Sequence, residues 1–135
     1  MRETSSPSPT RRILLAGALA AIPLRSLAQT RPVITILGDS ITAGYGLPAN
    51  AALPAQLQAQ LRRMGSGAVV RGAGVSGDTT AGGLARVDFS VQKDTALCVV
   101  ALGGNDLLQG VDPKRTRANL EKIIARLKAR KIKIV

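Results

Sequence analysis

The chain has 135 residues, with 19 Lys+Arg against 8 Asp+Glu, one cysteine and no histidine or tryptophan. That length allows one domain, and an apolar content of 45% argues for a packed core rather than disorder. One cysteine excludes an intrachain disulfide framework, and with no histidine it argues against a zinc site. The same absence leaves these residues no Ser-His or Cys-His catalytic pair.

The first expected element is an export signal over residues 1–28. Arg11-Arg12 precede an apolar run from Ile13 to Leu24, and Ser26-Leu27-Ala28 is a small-x-small cleavage site, so cleavage is expected after Ala28. The run is 12 residues long and contains Pro23, whereas a membrane-spanning helix needs about 20. Thr10 to Leu15 fits the twin-arginine route as well as ordinary Sec export. The expected location is exported, periplasmic or secreted. Cleavage leaves residues 29–135 as the domain, with 15 Lys+Arg and 7 Asp+Glu.

Pro32 to Leu37 is a β-branched apolar run and predicts a buried strand. Ala51 to Met64 predicts an amphipathic helix, with Leu53, Leu57 and Leu61 on one face. Ala68 to Arg71 predicts a second strand, and Thr80 to Val91 a weaker helix. Ala96 to Leu102 is continuously apolar, which predicts a strand covered on both faces. Asp112-Pro113 opens a last helix as N-cap and first residue, with Leu120, Ile123, Ile124 and Leu127 as its stripe. Ile132 to Val135 begins a further strand. Alternating strands and helices predict an α/β fold, a doubly wound parallel sheet.

Three glycine-rich loops follow strand carboxyl ends, where sites form in such sheets. They run from Gly38 to Gly46, Gly72 to Asp78 and Gly103 to Asp106. In the first, Ser40 follows Gly38-Asp39 at the start of a helical turn. Its hydroxyl is then presented at the sheet rim and its N–H can face a developing oxyanion. The plain alternative is that Asp39 or Ser40 only caps a helix. A glycine of the second loop, Gly74 or Gly77, can supply a second N–H donor, and Asn105 a side-chain amide. Asp106 is expected either to orient Asn105 or a substrate hydroxyl, or to cap its loop.

These blocks resemble those of the SGNH (GDSL-type) serine hydrolases, most closely the bacterial periplasmic arylesterase/thioesterase/lysophospholipase branch. Gly38-Asp39-Ser40 with Gly44-Tyr45-Gly46 resembles the nucleophile block. Val75 to Thr79 with Gly83-Leu84-Ala85-Arg86 resembles the second block, and Leu102 to Asp106 the third. The resemblance implies a flavodoxin-like sheet with Ser40 as nucleophile. Its implied oxyanion donors are the Ser40 N–H, the Gly77 N–H and the Asn105 amide, with Asp39 and Asp106 in support. It also implies an acyl-enzyme, a small ester, thioester or lysophospholipid substrate, and neither metal nor organic cofactor. The family's Asp-x-x-His block is absent from these residues. Carboxylates with a pKa of about 4 are weak substitute bases at neutral pH. The expectation is the N-terminal part of a longer domain, with residual turnover at most by itself. The other reading is a non-catalytic remnant that binds an acyl or anionic ligand.

Two rival readings are weaker. Gly72 to Gly77 satisfies G-x-G-x-x-G, but no acid ends the next strand, and Asp78 would face a pyrophosphate. Nine basic residues lie between Lys114 and Lys133, largely off the apolar stripe, and only Tyr45 and Phe89 are aromatic after the signal. A solvated helix face is therefore expected, with no nucleic-acid partner. Attraction to a membrane surface stays compatible with lipid-derived substrates. Cys98 is expected as a small buried hydrophobe.

Overall fold

The computed structural model describes residues 31–135; the expected signal, residues 1–28, lies outside them. Four parallel strands form one sheet in the order β2-β1-β3-β4: β1 (Val33–Gly38), β2 (Val69–Gly74), β3 (Thr95–Ala101) and β4 (Lys133–Ile134). The helices are α1 (Ser40–Ala43), α2 (Leu53–Arg63), α3 (Thr80–Ser90), α4 (Gly104–Leu108) and α5 (Pro113–Ala129). This is the flavodoxin-like doubly wound arrangement, whose strand order reverses between β1 and β3.

The side-chain alternation of β1 divides the packing into two faces. Leu37 joins Val87 and Val91 from the α3 region, Cys98 from β3, and Ile123 and Leu127 from α5 in the main core. Ile36 points the opposite way and pairs in register with Gly72, whose missing side chain makes room for Pro54 of α2. Helix α5 forms as its sequence predicts. The Asp112 carboxylate caps the Lys114 N–H, Pro113 occupies the first turn, and Ile123 and Leu127 are fully buried.

Three features differ from expectation. Strand β2 runs on to Gly74, because Gly72 and Gly74 let α2 and α1 pack directly against it. A Cβ at Gly74 would lie 2.3 Å from the Ala43 nitrogen and 2.8 Å from the Asp39 oxygen. Close packing of helices on the strand thus explains these two glycines of the apparent nucleotide fingerprint. Strand β3 buries Cys98 toward α3 and α5, while Leu97, Val99 and Ala101 on its other face are only half-buried among the described residues. Helix α4 was not expected, being too short to show a helical period.

Candidate active site

The rim at the carboxyl ends of β1, β2 and β3 gathers the three glycine-rich loops. Asp39 follows β1 and its carboxylate accepts from the Ile41 N–H at 3.0 Å, capping α1. Capping of α1 thus falls to Asp39 and not to Ser40. Ser40 is the first residue of α1 and is half-buried, in the turn where helix N–H groups have no intrahelical partner.

The second loop crosses from β2 to α3. The Val75 N–H donates to the Gly38 carbonyl at 3.1 Å, and the Asp78 N–H closes a turn onto the Val75 carbonyl at 3.1 Å. Gly77 lies at that turn with φ of +81°, a left-handed conformation that glycine adopts without steric cost. Thr79 caps α3 through the Gly82 N–H.

The third loop carries the residue that joins the other two. Gly103 turns the chain in a left-handed conformation out of β3, and Asn105 lies in the first turn of α4. Its side-chain amide donates to the Asp78 carbonyl at 2.9 Å and reaches Asp39 Oδ2 at 3.4 Å. Asn105 is thus bonded to the residue before Ser40 and to the residue after Gly77. That bridge brings together the loops that carry Ser40, Gly77 and Asn105.

Asp106 faces away from it. Its carboxylate accepts from the Thr80 N–H at 2.7 Å, from the Thr80 hydroxyl, and from the Thr116 hydroxyl at 3.1 Å. Asn119 in turn donates to the Thr80 hydroxyl at 3.1 Å. Burial pushes the Asp106 pKa up, but the bonds from Thr80 and Thr116 outweigh it and hold the carboxyl below its ordinary range. Asp106 therefore ties α4 to α3 and α5. Cys98 is fully buried, and desolvation pushes its thiol up to about 11.

A small cavity of about 250 Å³ opens beside Asp39 and Ile41, walled by Val100, Ala101, Leu102 and Gly104. A larger apolar groove of about 540 Å³ lies along α4 and α5, between Leu107, Val111, Leu120 and Ile124. Of these two, the smaller adjoins the Gly38–Gly46 loop. Among the described residues no group of three or more His, Cys, Asp or Glu side chains is placed to hold a metal ion, and no helix is long and apolar enough to cross a membrane.

Residues 36–135 match the GDSL-like lipase/acylhydrolase family. The chain belongs to this family. It is 37% identical over 126 residues to esterase TesA of Pseudomonas aeruginosa, covering 93% of this chain and 62% of that protein. It is 40% identical over 103 residues to the thioesterase 1/protease 1/lysophospholipase L1 of Escherichia coli K12, covering 76% of this chain and 48% of that one. Among solved structures, the SGNH-hydrolase family esterase AlinE4 superposes with a TM-score of 0.73 at 48% identity, covering 77% of this chain and 57% of that one. The chain thus spans about half to three-fifths of the length of these relatives.

Arg86, the last residue of the second block, has a larger place in the structure than its motif suggests. Its guanidinium bonds the Asp78 carboxylate at 2.7 Å, the Gly38 carbonyl at 2.8 Å and the Ala73 carbonyl at 2.9 Å. The only local signal was a lone basic residue on a helix otherwise built, Asp88 apart, of small and apolar residues.

Proposed function

We propose that this domain is the nucleophile and oxyanion half of a serine ester hydrolase acting through an acyl-enzyme on Ser40. The Ser40 oxygen attacks the carbonyl carbon of a small ester, thioester or lysophospholipid, the bond to the leaving group breaks and the Ser40 proton ends on the departing alcohol or thiol, and water then releases the acid and restores the Ser40 hydroxyl. Negative charge on the tetrahedral oxygen is met by the Ser40 N–H, the Gly77 N–H and the Asn105 amide. The observation that carries this reading is the Asn105 amide bridging the Asp39 and Asp78 loops. Its bond to Asp78 is short and fixes the side chain. Its 3.4 Å reach to Asp39 is long, so that hydrogen is the one available to a ligand oxygen.

The 135 residues contain no histidine, so no imidazole within them takes the Ser40 proton. Oxyanion donors and binding alone retain roughly 10³–10⁴-fold acceleration over water in a serine protease stripped of its triad. The chain by itself accordingly turns over slowly. The export signal, cleavage after Ala28 and a periplasmic or secreted location belong to the same proposal, supported by the order of residues 1–28. A second reading is a domain that binds an acyl or anionic ligand at the same rim without turnover. Hydrolysis of a short-chain aryl ester by the purified chain and by Ser40→Ala separates the two. The hydrolase reading expects slow release that disappears in Ser40→Ala. Equal rates from the two folded proteins reject it.

A further inference from the structure

We infer that Arg86 is a positioning residue that holds the Gly77 turn and the Ser40 loop in one geometry. This rests on the functional reading above, because it concerns how that site is built. Arg86 sits on α3, two helical turns from the rim, and sends its side chain back toward the sheet. Nε donates to Asp78 Oδ2 at 2.7 Å, Nη2 to the Gly38 carbonyl at 2.8 Å, and Nη1 to both the Ala73 carbonyl at 2.9 Å and Ser90 Oγ at 3.1 Å. The Asp78 and Arg86 side chains are 11% and 19% exposed, so water competes little for these bonds.

The choice of partners gives Arg86 its role. Gly38 stands two residues before Ser40, and its carbonyl also accepts from the Val75 N–H at the start of the second loop. Asp78 follows Gly77 directly, and its carbonyl holds the Asn105 amide. One planar guanidinium therefore fixes the end of β1, the end of β2 and the residue on which both Gly77 and Asn105 depend. A lysine ammonium is a point charge without the fork, so it could keep Asp78 but not the two carbonyls as well. The contrast is Arg71, which makes an equally short two-pronged pair with Asp94. That pair meets no loop of the rim, and the side chains are 29% and 54% exposed. Small displacements of a reacting group cost rate steeply, on the order of 10²-fold for about 1 Å.

The test compares Arg86→Lys and Arg86→Gln with Arg71→Gln in the full chain. Nitrogen-15 NMR follows the Gly77 N–H and the Asn105 side-chain amide, and a fluorophosphonate reports the rate of Ser40 modification. The inference expects Arg86→Gln to displace the Gly77, Asp78 and Asn105 resonances and to slow Ser40 modification by on the order of ten- to a hundred-fold. Arg86→Lys falls between it and the parent, and Arg71→Gln changes neither reading. Unmoved Gly77 and Asn105 resonances in folded Arg86→Lys protein overturn it, as does a slowing that only matches the unfolded fraction. If Arg86→Gln does not fold, Arg86→Lys decides. If the parent chain is folded yet unmodified at Ser40, the functional reading fails, and the resonances alone decide the place of Arg86.

Discussion

The Asn105 side-chain amide donates to the Asp78 carbonyl at 2.9 Å, across 27 residues of sequence. This bond closes the third loop onto the second at the point where strand order reverses between β1 and β3. Doubly wound sheets bind ligands at that point, because the connections leave β1 and β3 toward opposite faces and open a crevice. The crevice here lies between the loops that leave β1 and β3, beside Asp39, Ile41, Leu102 and Gly104.

Replacing Asn105 removes both a strut and a donor. Asn105→Ala is expected to slow Ser40 modification by roughly 10²–10³-fold, the range for loss of one oxyanion donor. Circular dichroism should show the sheet retained, since Asn105 is outside the main core. Modification at the parent rate in folded Asn105→Ala would remove Asn105 from the site.

Asp106 should govern acid stability. Its folded pKa lies below the ordinary value of about 3.9, so the unfolded chain binds the proton more readily. Its contribution is complete above about pH 4–5 and is lost as pH falls through the folded value. Asp106→Asn leaves a donor opposite the buried Thr80 groups and is expected to cost about 1–3 kcal/mol at pH 7. Urea unfolding from pH 3 to 7 checks both parts: the variant should be weaker at pH 7 and lose less on acidification.

Cys98 should be a protected thiol. It is fully buried with its pKa pushed up to about 11, so little thiolate exists at pH 8. A disulfide reagent such as dithionitrobenzoate should react slowly with folded protein and rapidly in denaturant. The sign of the linkage is opposite to that of Asp106. The unfolded thiol ionises near about 8.5, so this contribution to stability declines as pH rises above that value.

Gly74→Ala should be far worse than Gly67→Ala. The first places a methyl group 2.3 Å from the Ala43 nitrogen, whereas the second meets nothing within 4 Å. Overpacking of this kind costs about 1–3 kcal/mol, and here the opposing atoms are backbone. Thermal unfolding of the two variants beside the parent measures the difference.

Much of this arrangement was legible in residue order. The apolar run at Ile34 to Leu37, the Asp112-Pro113 cap and the Ile123/Leu127 spacing are local signals, and each produced its element. Ser40, Gly77 and Asn105 stand out in the sequence because each lies in a glycine-rich loop after a strand, and the topology puts those three loops on one rim. What the order of residues hid is non-local. The reach of Arg86 to the Gly38 carbonyl spans 48 residues, and nothing near Arg86 announces it. The use of Gly72 and Gly74 as packing surfaces depends on α1 and α2, which a local reading cannot place. Helix α4 has five residues, too few to display a period.

The most direct test of the central claim is mass-spectrometric mapping of fluorophosphonate modification on the folded 135-residue chain beside Ser40→Ala. The account predicts one phosphonylated residue, Ser40, modified slowly and not at all in Ser40→Ala. A folded chain left unmodified, or modified equally in Ser40→Ala, would contradict it.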